Sequence, residues 1–525
     1  MELYLSQSGT EEPLRFSPVE KFILAEGEIE SLDSQIEKLT HNEDEVALLA
    51  LVSDILPPAH RLPIEILSEI FELVCYPNHG RFYPQFDVVR TTTSLSQVCV
   101  VWRQVAHDTP RIWSNLCLSI PEHMSLFNAG GKWVNEWLSR SGVLPLGLYL
   151  DFPTDNSNWS TEEEMETYSE YKYLVQEVHY LLDQILDHRH YLLDRIRSIK
   201  LIGDPIFFTP VFVLGPTSFR GVERISMQMT RSLDENLRVN SFSSANNLRH
   251  LEIVEPYFRS QLRAFLLPAG QLINLQIRTR NYSHFDTSVY ADFLHRCSSL
   301  VSLEINPACS PAFNSPTDNV FLPMLKSLHF TFHLPSEGDE TPGVNLLHIL
   351  AVPLLEEMTL ILGYVEFHDF SRDLTALQGN SPTSNLKSLT LEMNWTFKAI
   401  DATDLASVLL LFPTITSFRL FGIQSDMNLL FQAMTYHNLN DDSVTLLPMI
   451  LNLELEYRKK TRYPSELISM ILSRSWQNGH QPQTGAGLVA RLQQVSILRA
   501  GYLQKTDEYS VRIAEVPDSV VYSES

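Results

Sequence analysis

The sequence predicts an α/β protein in which a small group of helices leads into a solenoid of repeated strand-and-helix units, with parallel strands on its concave face and helices outside. Three observations carry this expectation. A strand-like L-x-x-L-x-L pattern recurs from Ile196 to Leu492, helical stretches fill the gaps so that each unit is a strand plus a helix, and the region before Asn115 reads as separate amphipathic helices.

The repeated strands are IRSIKL from Ile196, VERISM from Val222, LRHLEI from Leu248, LINLQI from Leu272, LVSLEI from Leu300, LKSLHF from Leu325, LEEMTL from Leu355, LKSLTL from Leu386, ITSFRL from Ile415, ILNLEL from Ile450 and LQQVSI from Leu492. They follow at steps of 24 to 31 residues as far as Ile415, then at 35 and 42. That spacing is close to the leucine-rich-repeat period of roughly 20–29 residues. Stretches such as SVYADFLHRCSS and DATDLASVLLLF supply helices between strands. Each unit has an apolar side that only a stacked neighbour can cover. The asparagine that usually follows the last strand leucine occurs only in LKSLTLEMN, at Asn394, so the repeats are irregular. NLCLSI at Asn115 and LPLGLYLDF at Leu144 read as earlier rungs, with the acidic helix TEEEMETYSEYKYLVQEVHYLLDQILDHRHYLL as an enlarged return arm.

Ahead of the repeats, residues 1–16 read as disordered and 17–56 as a coiled-coil-like helix, with Phe22, Ile29 and Ile36 at one heptad position and Ala25, Leu32, Leu39 and Val46 at the other. That helix could self-associate or fold back on the helices that follow. Pro57 and Pro58 end it. A new helix starts in RLPIEILSEIF, where Leu62, Ile66, Ile70 and Val74 recur every fourth residue and Leu67 and Phe71 widen the stripe. Pro63 suits the first helical position, and Glu65 favours the positive end of the helix dipole. The turn-forming stretch YPNHGRFYPQFDVVRTTT reads as a loop. A second helix is expected from about Ser94, with Leu95, Val98, Cys99, Trp102 and Val105 on one face, closed by Pro110 before Ile112 and Trp113. The division is therefore 57–118 for the small helical region, 119–505 for the solenoid and 506–525 for a C-terminal tail.

Composition narrows the function classes. With 44% hydrophobic and 10% aromatic residues the chain can bury a large core. The net charge of −24, from 39 Lys and Arg against 63 Asp and Glu, disfavours nucleic acid and anionic membranes as partners. MELYLSQSGTEEP lacks the features of a secretory signal, and VALLALVSDIL is too short to span a bilayer. Five scattered cysteines without a C-x-x-C pair read as reduced thiols. A soluble protein of the cytoplasm, the nucleus or both is expected.

No catalytic chemistry emerges. G-x-G-x-x-G, G-x-x-x-x-G-K-[ST] and G-x-S-x-G are all missing, and the S-x-x-K of Ser384 and Lys387 sits at a repeat strand. Asp187, His188 and His190 are metal-ligand types, but His188 and His190 two apart on a helix point to different sides. No catalytic residue, metal or cofactor is expected. The strand positions that alternate with the leucines form a polar surface: Arg224, His250, Glu252, Asn274, Gln276, Arg278, Glu304, His329, Thr331, Glu357, Thr390, Glu392, Arg419, Phe421 and Glu454. Arginines fall mostly in its first half and carboxylates in its second. Such a surface suits a protein or peptide ligand.

The stretch LPIEILSEIF, followed after a loop by LSQVCVVWRQVAHDTPRIW, resembles the F-box. The wider layout resembles the large F-box group of mushroom-forming fungi, with its N-terminal coiled-coil helix, WLSRSGVLPLGLYLDF, irregular leucine-rich repeats and a late ISMILSRSW segment. The resemblance implies that Leu62, Pro63, Ile66, Leu67, Ile70, Phe71, Leu95, Val98, Cys99, Trp102 and Trp113 dock on a Skp-family adaptor and, through it, a cullin-RING ubiquitin ligase. It implies further that the repeats hold a protein substrate. A scaffold or sequestering protein that binds the adaptor without promoting ubiquitination is the alternative.

Overall fold

The computed structural model describes most residues from Leu62 to Glu524. Residues 1–61 lie outside the described set, as do several internal stretches, the longest being 77–87, 120–131, 153–163, 307–318, 333–345 and 505–520. The expected coiled-coil helix and the disordered N-terminus fall there. The chain divides into two compact units, Met1–Asp151 with Lys172–Ile185, and Phe152–Tyr171 with Leu186–Ser525. The protein is α/β, and the strand pairs described in its large sheet run parallel.

In the first unit, α1 (Ile64–Cys75), α2 (Val88–Gln97) and α3 (Val100–His107) precede a single 3₁₀ turn, Pro110–Trp113. The parallel strands Asn115–Ser119 and Leu146–Phe152 follow, with α4 (Lys132–Arg140) between them. Two expectations need correction. The last third of the predicted loop, from Val88, is helical, and the helix expected from Ser94 is interrupted at Val98 and Cys99. The run of threonines reads as a helix breaker, yet α2 buries a narrow face of Val88, Val89, Thr92 and Ser96. Thr92 Oγ1 lies 3.3 Å from Cys75 Sγ and 3.4 Å from the Ile112 carbonyl, so the small face lets α1 approach. Cys99 is extended and accepts from the Trp102 N–H at 3.4 Å, capping α3 through its sulfur.

α1 packs by one edge only. Its buried residues are Leu67, Phe71 and Cys75, whereas Leu62, Ile66 and Val74 are exposed. The fourfold stripe is real, but it is not the face that packs. Burial drives the Cys75 thiol pKa up to about 11, which leaves it a protonated core residue.

In the second unit the repeat strands lie side by side in chain order. The strands Ile196–Gly203, Arg224–Met229, His250–Glu255, Asn274–Thr279, Ser302–Asn306, Ser327–Phe332, Glu357–Leu362, Ser388–Met393, Ser417–Ile423, Asn452–Tyr457 and Gln494–Leu498 each pair in parallel with the next. Val521–Glu524, within the expected tail, adds one more strand beside Gln494–Leu498. This arrangement is compatible with a solenoid. Leu251, Leu275, Leu303 and Leu328 occupy one register position in successive strands and are buried.

Helices link the later rungs, among them Thr287–Leu294, Phe367–Asn380, Ala402–Leu409 and Asn428–Met434. Between Arg224–Met229 and Asn274–Thr279 the described links are turns, an isolated bridge and a short 3₁₀ stretch, contrary to the expectation of a helix in every unit. SFSSANN and LLPAG favour turns there. Phenylalanines take the helices' place: Phe219 stacks on Phe242 at 5.1 Å, and Phe212 meets Phe265 edge-on at 5.6 Å. Instead of an asparagine ladder, charges of alternating sign connect rungs, as in Arg197 with Glu223 and in Lys326, Glu356 and Lys387.

One acid is enclosed by this packing. Glu255 is 2% exposed and accepts from Ser260 Oγ and the Gln261 N–H, both at 2.8 Å, and from the Tyr290 hydroxyl at 3.1 Å. Burial outweighs these bonds and raises its pKa from 4.5 to about 7. The folded state then holds a proton that the unfolded chain has released. Its stabilising contribution is complete below 4.5 and is lost as pH rises through about 7, a swing of roughly 3 kcal/mol. Urea midpoints measured across that window should fall with pH in the wild type and flatten in Glu255→Gln.

Candidate functional site

Two surfaces hold the residues singled out from the sequence, one in each unit. In the first, the core beneath the surface comes from Trp113, whose indole N–H donates to the Ala106 carbonyl at 2.6 Å. Trp137 meets its ring edge-on at 4.7 Å, and the Arg140 guanidinium lies over it at 4.6 Å. Phe71 of α1 packs on Trp102 of α3 with ring centroids 5.0 Å apart. Tyr76 donates to the Arg111 carbonyl, and Arg111 reaches Glu72 at 2.9 Å, tying the end of α1 to the 3₁₀ turn.

This core sorts the sequence-derived docking set. Leu67, Phe71 and Trp113 are buried and support the surface without forming it, because they fill the space between the helices and the first strand. Ile70, Leu95, Cys99 and Trp102 are partly exposed. Leu62, Pro63, Ile66 and Val98 are exposed. Sequence reasoning passed over Ile64, Leu73 and Val101, which are 60%, 64% and 45% exposed. A signal for them existed: α1 carries Ile64, Ile66, Leu67, Ile70, Phe71, Leu73 and Val74, more apolar residues than one face accommodates. This many exposed apolar residues on one short helix exceed the single exposed leucines that are ordinary on a protein surface.

In the second unit the alternating strand positions come together in rows. Arg224, His250 and Asn274 are direct register partners, as are Glu252, Gln276, Glu304 and His329 one step further along. Arg278 bridges two carboxylates, with Nη1 3.5 Å from Glu252 and Nη2 2.9 Å from Glu304. Arg419 Nε lies 3.1 Å from Glu454. Glu392 pairs in register with Phe421, Thr390 with Arg419, and Glu357 with Ser388. Thr331 does not join the row. It is 3% exposed, although it stays in register with Ile361, because the last three residues of Ser327–Phe332 are all covered.

The arrangement offers hydrogen bonds and paired charge along parallel strands. Burial, and then the charge of Arg224, hold the His250 pKa below its usual value. Among the described residues no three His, Cys, Asp or Glu side chains gather as metal ligands. No described helix is long and apolar enough to cross a membrane. A scan against protein-family models and a search of curated proteins return no match to this chain.

Proposed function

We propose that this protein is a non-catalytic substrate receptor of a Skp-cullin-F-box type ubiquitin ligase, its first unit an F-box and its second an irregular leucine-rich-repeat solenoid. The observation that carries the reading is the open apolar face of α1, with Val98 and Val101 also exposed, on a small unit whose own core is already filled by Phe71, Trp102 and Trp113. An adaptor that lays a helix or groove against that face would bury it, each fully covered Leu, Ile or Val contributing about 1.5–3 kcal/mol. The polar rows of the repeat strands then present the captured protein, and ubiquitin transfer belongs to other subunits.

A pull-down against a Skp-family adaptor and a cullin tests this. Wild type is expected to bind. Leu62→Ala with Pro63→Ala and Ile66→Asp is expected to bind at least about a hundredfold more weakly, since a carboxylate placed in an apolar contact costs ~3 kcal/mol or more. Ile66 is 42% exposed, so the variant's circular dichroism should match wild type. A folded wild-type protein that fails to bind would remove the assignment.

A further inference from the structure

Charge is distributed unevenly along this acidic chain. From residue 194 to residue 280 there are twelve Lys and Arg, eleven of them Arg, against seven Asp and Glu, a local charge of +5 within a total of −24. Most of the arginines on described residues are engaged. Arg197 meets Glu223, Arg231 meets Asp204, Arg278 meets Glu252 and Glu304, and Arg249 donates to the carbonyls of Leu248 and Gln271. Lys200 and Arg224 have no ion-pair partner among the described residues, and both sit on the polar side of the sheet.

Register places them in a compact pattern. Arg224 lies opposite Ser198 and Lys200 opposite Ser226, so two cations and two small hydroxyl residues alternate at the corners of one patch across adjacent strands. His250 adjoins Arg224 on the next strand. The serines are short beside the two long side chains, and guanidinium and ammonium groups are donors that an oxyanion takes. Two carboxylates at the adjoining strands are already shared: Glu223 with Arg197, and Glu252 with Ser226 and Arg278.

We infer that this patch holds an anionic segment of the captured protein, its carboxylate or phosphate oxygens received by Lys200 and Arg224. The inference rests on the substrate-receptor reading and names the chemistry of the segment received. A peptide fits better than a nucleic acid, because two uncommitted cations bounded by Glu223 and Glu252 meet one or two anionic groups and not a run of phosphates.

Fluorescence anisotropy on the full chain tests it with three labelled probes: a hexaglutamate peptide, an otherwise neutral peptide bearing one phosphoserine, and a short oligouridylate. At low salt, saturable binding of at least one peptide is expected. Binding of both means that carboxylates suffice, and binding of the phosphopeptide alone assigns the patch to phosphate. Lys200→Ala with Arg224→Ala should weaken it about tenfold, Arg224→Gln less, and Lys387→Ala not at all. Lys200 is half-buried and Arg224 exposed, so these variants are expected to keep the wild-type circular dichroism. Absence of saturable peptide binding by wild type, equal binding by the double variant, or tighter binding of the oligouridylate than of either peptide would each overturn the inference. Adaptor pull-down on the same preparation separates the two readings: adaptor capture without peptide binding removes only this one.

Discussion

Arg474→Met is expected to destabilise the C-terminal rungs by about 3–5 kcal/mol, although it removes no salt bridge among the described residues. Arg474 is fully buried, and its guanidinium is divided among three backbone carbonyls: Met434 at 2.8 Å, Leu447 at 2.9 Å and Leu446 at 2.8 Å. The first of these ends the helix Asn428–Met434, where the dipole favours a cation. The other two lie in a turn that Leu447 enters with a left-handed φ of 48°. Burial lowers the arginine pKa to about 10, so the side chain stays charged at neutral pH. Methionine fills most of the volume but leaves the carbonyls unpaired at a cost of ~1–3 kcal/mol each, partly relieved by relaxation. Lysine should recover part of the loss, since one ammonium cannot reproduce the planar three-way geometry. Hydrogen exchange in the adjoining strand Asn452–Tyr457 would report the change. A loss below about 1 kcal/mol would mean that water or a backbone shift satisfies the carbonyls.

Trp113→Ala is expected to cost the first unit about 3–5 kcal/mol, the range for emptying an aromatic site in a packed core. The ring is 2% exposed, and its loss removes the bond to Ala106 and the contacts with Trp137 and Arg140. Its signature should differ from that of Ile66→Asp. The tryptophan variant loses helical signal and adaptor capture together, whereas the surface variant loses capture alone. Trp113→Phe should fall between, because it keeps the edge contact and loses the indole donor. If Trp113→Ala stays folded and still fails to capture the adaptor, the indole touches the partner directly and its assignment to the core is wrong.

The contrast between these residues shows what could be read in advance. Strand positions from Ile196 to Leu492 were legible because the alternation of leucines is local and recurs at nearly constant spacing. The polar rows were legible for the same reason, with Thr331 the exception where Phe330, Thr331 and Phe332 are buried in succession. Arg474 was not legible. Nothing in LSRSW distinguishes it from a solvated helix end, and its partners lie 27 to 40 residues earlier in the chain.

By itself the sequence determined the parallel α/β repeat, the order of its rungs and the excess of apolar residues on α1, all of which follow from periodicities of about two and 3.6 residues. Tertiary structure alone decided which face of α1 packs, that α2 exists, that phenylalanines replace helices between the early rungs, and that Lys200 and Arg224 lack, among the described residues, the carboxylate partners their neighbours have. The physical reason is the same in each case. Periodicity places side chains on a face, but burial and pairing depend on residues brought to that face from tens of positions away.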